Sequence, residues 1–278
     1  MNRQPNESEG MLDSSSWTLD QAIANLQQRE DLSQRYYAAW WLGKFRARQP
    51  EVIEALLEAL NDEADRTPDG GYPLRRNAAT ALGKLGDRRA VSPLIRCLNC
   101  EDYYVRESAA QALEMLDDPA GIPALIKLLD GGVEAAVTCP GKPHLVQPYG
   151  AIIEALGTLQ ATEAIALIQP FLDHPVEKVR YSTARALYQL TKEPFYGKKL
   201  KEALLDDSLQ LRRSVLMDLG AIGYLPAADA IAQTLAENSL KLISLKGLLE
   251  YELIHGESEF PELSSESLHI ARLMDGLL

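Results

Sequence analysis

The chain has 278 residues, of which 46% are apolar and 24% charged, with 18 glycines and 15 prolines, the composition of a folded rather than a disordered or fibrous chain. Forty acidic residues against 28 basic ones give a formal charge of −12, which disfavours a nucleic-acid surface, because phosphate binding needs a face of Lys and Arg. Three cysteines cannot all pair, so a disulfide framework is not expected and a reducing compartment fits.

Residues 1–16 carry no apolar run of the secretory kind, and no stretch approaches the roughly 18 apolar residues of a membrane helix. The reading is a soluble, cytoplasmic protein with no membrane insertion and a flexible lead over 1–16. Thr18 with Gln21 three positions on suits a capping box opening a helix through about Gln28. Helices then alternate in pairs. The first members are short and apolar: Glu51–Leu60, Ala90–Leu98, Ile122–Leu129, Glu163–Leu172, Lys199–Leu205 and Ala227–Ala236. The second members share one pattern, plainest in Arg75–Leu85 and Arg106–Leu116, and register on Leu42, Leu82, Leu113, Leu156, Leu187, Leu219 and Leu248. Units of roughly 30 to 45 residues, each with two helices, predict an all-α solenoid of about seven HEAT-like pairs wound into a curved right-handed superhelix over 17–255. Gly and Pro in the turns, as at Gly86 and Pro119, end one helix and start the next.

Two longer intervals come from insertions at Asn61–Pro73 and Gly131–Gln147, both between the two helices of their own pairs. That places them on one edge of an array, either lining a binding face or as tolerated surface loops. Beyond 255, residues 256–278 hold an amphipathic segment with Leu268, Ala271, Met274 and Leu278 on one line and Leu273 and Leu277 beside it. It is read as a capping helix or as a docking one.

At about 100° per residue, positions three before the central leucine (Ala39, Ala79, Ala110, Ile153, Ala184, Leu216, Leu245) and three after it (Phe45, Leu85, Leu116, Leu159, Leu190, Ile222, Tyr251) form the core stripe. Two before it stand Thr80, Gln111, Glu154, Arg185, Met217 and Lys246, read as solvated; the first copy has Trp40 there. Six before it the first copy has Tyr36. Positions four apart share a helix face, so Tyr36 and Trp40 make an outward aromatic stripe suited to a partner or an apolar ligand. Tyr37 and Trp41, on the flank, are expected to be covered by the N-terminal segment. Seven before the leucine stand Arg35, Arg75, Arg106, Tyr149, Arg180, Arg212 and Lys241, read as a structural ladder of cations satisfying helix ends and nearby carboxylates.

Cys97 and Cys100 form a C-x-x-C without a second pair or histidine spacing, so no metal site is expected and core packing suits Cys97. Cys139 lies five residues from His144; transient ligand attachment and chance proximity both remain open there. His174, His255 and His269 support nothing specific. No P-loop, dinucleotide fingerprint or Ser/His/Asp arrangement is visible.

The run Tyr36-Tyr37-Ala38-Ala39-Trp40-Trp41-Leu42 resembles the aromatic motif of the E-type subunit of heterodimeric, HEAT-like repeat phycobilin lyases. The stretches Gly70–Asn77, Cys139–His144 and Leu219–Pro226 are similar to that subunit as well, and the likeness spans about Trp17 to Glu250. The resemblance implies a cyanobacterial carbon–sulfur lyase, active with an F-type partner subunit. Together they would attach phycocyanobilin through a thioether to a cysteine of the phycocyanin α-subunit. Phycocyanobilin is then a substrate, and no resident cofactor is implied. The acceptor supplies the thiolate, so no catalytic residue need come from this chain, and none is assigned. Under this resemblance Tyr36, Tyr37, Trp40, Trp41 and Tyr72 are candidates for bilin or partner binding. Arg76, Lys142 and His144, near the insertions, are candidates for meeting the propionates. A phycoerythrocyanin-type lyase-isomerase subunit and a non-enzymatic HEAT-repeat scaffold for phycobilisome proteins are the alternatives.

Overall fold

The computed structural model describes residues 17–256 and 263–278, so the lead expected over 1–16 lies outside the described residues. The chain forms two compact units, Met1–Leu116 and Asp117–Leu278. Both are helical; among the described residues the only extended pairing is an isolated bridge between Thr138 and Leu145.

The first unit holds α1 (Leu19–Gln27), α2 (Leu32–Lys44), α3 (Pro50–Ala59), α4 (Pro73–Leu85), α5 (Val91–Cys97) and α6 (Tyr103–Leu116). Thr18 and Gln21 close a reciprocal capping box at the start of α1, as the spacing predicts. Asp31 caps α2 through the amides of Ser33 and Gln34, and prolines open α3 and α4, where an amide would have no partner anyway. The long second helices lie side by side, α4 between α2 and α6. Glycine permits that approach: a Cβ on Gly43 would come 2.8 Å from Ala81 Cα, and one on Gly83 would come 2.7 Å from Ala112 Cα.

The second unit holds α7 (Ile122–Lys127), α8 (Gly132–Ala135), α9 (Tyr149–Thr158), α10 (Ile165–Ile168), α11 (Glu177–Thr191), α12 (Pro194–Glu202), α13 (Leu209–Ile222), α14 (Ala228–Gln233), α15 (Asn238–His255) and α16 (Ser265–Asp275). With α1, the second helices α2, α4, α6, α9, α11, α13 and α15 give the seven predicted pairs. Several first helices differ from expectation. Residues 163–172 are broken into short 3-10 and α pieces, because Pro170 removes a donor in mid-segment. The expected Lys199–Leu205 helix starts earlier, at Pro194, where proline serves as the first residue.

All seven central leucines are buried, as are all seven residues three before them. The stripe three after them holds for Leu85, Leu116, Leu159 and Ile222 but fails at Phe45, which is 51% exposed. Phe45 is the C-cap of α2, where the chain turns, and its ring leaves the core to lie tilted against Trp41, centroids 4.6 Å apart. The place two before the leucine is not uniformly solvated either. Glu154 and Arg185 are largely covered, with Arg185 Nη1 3.7 Å from Glu154 and 3.3 Å from Asp218 on the next helix.

The cation ladder bonds mainly to backbone. Arg35 Nε donates to Leu26 O at 3.1 Å, Arg75 Nε to Asp62 O at 2.6 Å, and Arg106 Nη1 to Cys100 O at 2.7 Å. Arg180, Arg212 and Lys241 repeat the contact on His174 O, Asp207 O and Ala232 O. Each long side chain thus satisfies carbonyls left over where the preceding segment ends.

At the C-terminus α16 lies on α14 and α15 and closes that end of the second unit. Its covered face differs from the one expected: Ile270 is buried and Leu273, Met274 and Leu277 pack on the core, whereas Leu268 and Leu278 are exposed. Ile270 sets the register because it stands between both predicted lines and is branched and apolar. No helix among the described residues is long and apolar enough to cross a membrane.

Candidate functional site: an aromatic face on α2

α2 presents two large rings to solvent. Tyr36 is 37% exposed and Trp40 38% exposed, one turn apart on the same face. Their neighbours are covered. Trp17, just before α1, meets Tyr37 edge to face with centroids 5.4 Å apart and lies 6.5 Å from Trp41, which is buried. Trp17 therefore covers the flank of the run and leaves the outward stripe uncovered. Tyr37 backs Trp40 at 5.0 Å, and Lys44 Nζ sits 4.6 Å from the Trp40 ring centre, so the indole is held on two sides while part of it stays open.

α4 lies next to this stripe. Asn77 Nδ2 donates to Tyr36 O at 2.9 Å, which fixes the register of α4 against α2. Arg76, the preceding residue, is exposed, and its guanidinium carbon is 5.7 Å from the centre of the Tyr104 ring on α6. Tyr104 is 40% exposed and missing from the candidates drawn from sequence. The same copy-by-copy comparison finds it: nine before the central leucine the other second helices carry Ser33, Pro73, Gln147, Lys178, Gln210 and Ser239.

Tyr72 corrects the expectation of a surface contact. Its ring is buried, with the guanidinium carbons of Arg75 and Arg66 4.1 Å and 5.0 Å from its centre. Its hydroxyl lies 3.0 Å from Glu101 and 3.3 Å from Glu63, and its amide donates to Asp102 at 2.7 Å. Burial, then the hydrogen bond to Glu101, pushes the phenol above its usual value. Tyr72 is thus the staple of the first insertion. Further ties are the Arg35–Asp62 ion pair at 2.7 Å and Asp65, which accepts from the Leu74 amide at 3.0 Å at the start of α4. Burial pushes Asp65 above the ordinary carboxylate value; at Asp62 burial is outweighed by Arg35 and neighbouring amides, and the net shift is downward.

Lys142 and His144 belong to the second unit. They lie in the second insertion, a tight turn in which the Cys139 amide donates to His144 O at 2.9 Å and the Lys142 amide to Cys139 O at 3.0 Å. Lys142 is exposed; His144 is half-buried with Nδ1 2.8 Å from Leu145 O. Sequence reasoning missed what anchors this insertion. Buried His174 donates from Nε2 to Ala136 O at 2.8 Å and accepts the Val176 amide on Nδ1 at 3.0 Å, a pairing that requires the neutral ring with its proton on Nε2. No group of three or more His, Cys, Asp or Glu among the described residues is placed to hold a metal ion.

The face on α2 and α4 combines open aromatic area with an unshielded cation, a chemistry suited to a flat apolar body carrying acidic groups. Residues 34–62 match the family model for the PBS lyase HEAT-like repeat, and residues 66–138 and 148–220 match that for HEAT repeats. The phycocyanobilin lyase subunit alpha of Picosynechococcus sp. is 63% identical over 263 residues, covering 95% of this chain and 97% of that protein. The bilin biosynthesis protein PecE of Mastigocladus laminosus is 46% identical over 222 residues, 80% of this chain and 77% of that one. A chain in the solved complex of CpcE and CpcF of phycocyanin lyase from Nostoc sp. superposes with a TM-score of 0.90 at 58% identity, covering 99% of this chain and 100% of its own.

Proposed function

The chain belongs to the phycocyanobilin lyase subunit alpha family, and from that membership we propose that it is one half of a heterodimeric enzyme, working with an F-type subunit to join phycocyanobilin through a thioether to a cysteine of the phycocyanin α-subunit. The observation that carries the reading is the aromatic stripe: Trp17 covers Tyr37 and Trp41, yet Tyr36 and Trp40 stay open on the adjoining face.

The acceptor's thiolate is the nucleophile. It adds to the ethylidene carbon of the bilin, the carbon–sulfur bond forms, and the tetrapyrrole takes up a proton. This chain's part is positioning: holding the chromophore in one conformation and keeping solvent from competing for it. Rings fixed on a helix suit that task, because a rigid wall loses little entropy when a flat molecule lies on it. Tyr36 and Trp40 supply the wall and Arg76 lies at its side. Lys142 and His144 remain candidates for the propionates. On this reading the chain works in the cytoplasm, a compartment in which its three free thiols would stay reduced.

Co-expression of this chain with an F-type subunit, a source of phycocyanobilin and apo-α-phycocyanin tests the reading. The expected result is covalent, fluorescent α-subunit only when both lyase chains are present. Non-covalent association without transfer would assign a scaffold role instead. The 63% identity to a phycocyanobilin lyase subunit alpha favours attachment without isomerisation, and a product absorbing at the wavelength of unisomerised adduct is expected.

A further inference from the structure

We propose that Arg76 and Tyr104 form a carboxylate-receiving end to the aromatic face, taking one propionate of the bilin and thereby extending the site onto α6. The inference rests on the lyase reading and adds residues and a binding preference to it.

Three observations carry it. Arg76 meets no carboxylate among the described residues, although its neighbours Arg66 and Arg75 pair with Glu101 and Glu63. In a chain with 40 acidic side chains, an exposed guanidinium left without one is available to an incoming anion. The second observation is the flank. Tyr104 lies 5.7 Å from the guanidinium carbon on one side, and Tyr36 stands on the neighbouring helix, whose carbonyl accepts from Asn77 at 2.9 Å. The third is the rigidity of that flank. Asp102 accepts the Tyr104 amide at 2.8 Å, Tyr103 packs edge on against its ring at 5.3 Å, and Gly43 and Gly83 bring α2, α4 and α6 into close contact.

Trp40, Tyr36, Arg76 and Tyr104 therefore follow one another across three packed helices. A guanidinium binds a carboxylate through two parallel N–H donors, and an aromatic face beside it keeps the planar fork in place. A cation with a ring beside it and a second ring exposed on the adjoining helix suits a carboxylate on a short arm from a ring system. A carboxylate on a partner's surface loop has no use for the rings.

The test uses the heterodimer with its F-type subunit, titrated with phycocyanobilin and with its dimethyl ester, and read by the absorbance change of the bound pigment. The unmodified heterodimer is expected to prefer the free acid by about tenfold. Arg76→Gln should raise the Kd of the free acid to that of the ester and leave the ester unchanged, with Arg76→Lys between them. Tyr104→Ala should weaken the free acid several-fold, while Tyr104→Phe should not. An unchanged acid-to-ester ratio in Arg76→Gln overturns the inference. So does a loss of heterodimer by sedimentation with that ratio intact, which would give Arg76 to the partner subunit. Trp40→Ala separates the two levels: if it weakens both pigments while Arg76→Gln changes nothing, the lyase reading stands and only this inference falls.

Discussion

The rings of Trp17 and Tyr37 meet edge to face, centroids 5.4 Å apart and planes at 89°. This contact divides the aromatic run into a sealed flank and an open face, and it makes the division testable. Such a pair contributes about 0.5–1.5 kcal/mol beyond the area it covers. Trp17→Ala is expected to lower stability by at least that much in urea unfolding. Bilin transfer should persist below the new midpoint, because the open rings are untouched. Loss of transfer without loss of stability would place Trp17 in the binding site instead.

Tyr72 is expected to behave as a staple. Tyr72→Phe removes the hydroxyl from Glu63 and Glu101 and leaves the ring between Arg66 and Arg75. Trypsin should then cut after Arg66 faster than in the unaltered chain, while pigment affinity stays the same. Reduced affinity with unchanged cleavage would return Tyr72 to the contact surface.

His174 anchors the second insertion through both ring nitrogens. His174→Ala leaves a buried carbonyl and an amide without partners, at a cost of about 2–3 kcal/mol. Amide exchange should accelerate around Ala136 and Val176 more than in the core of α11. Uniform acceleration throughout would mean that the effect is global.

Burial, then the neighbouring Cys100, pushes the Cys97 thiol up to about 11. The reactive form is the thiolate. At pH 8 only about one molecule in a thousand carries it at this position. Cys97 should therefore resist iodoacetamide near neutrality, its rate rising about tenfold per pH unit until about pH 11. Mass spectrometry of the alkylated chain reads this directly. Rapid labelling of Cys97 at pH 7 would mean that the end of α5 opens.

Where the sequence was informative, it was so because the copies can be laid against one another. The central leucines and the residues three before them form the core in every copy, and Tyr36 and Trp40 stand out because polar, flexible or smaller residues mostly hold their places elsewhere. What escaped this comparison lies outside the repeat or at its ends. Phe45 falls where α2 terminates, so helical periodicity no longer fixes its direction. Tyr72 reads as a loop aromatic, and two of the acids it bonds, Glu101 and Asp102, arrive from about 30 residues further on. Tyr104 sits in the first turn of α6, just beyond the stretch used to register the copies. Glu154 and Arg185 each read singly as solvated, whereas their charges are neutralised across helices, with Asp218 on the third.

The most direct measurement concerns Trp40. In the heterodimer with an F-type subunit, Trp40→Ala combined with Tyr36→Ala should reduce covalent phycocyanobilin on the phycocyanin α-subunit by at least about tenfold, the loss expected when central aromatic contacts worth about 1.4 kcal/mol or more are removed. The melting temperature and heterodimer content should be unchanged. Full transfer by the double variant, folded and assembled as before, would contradict the account.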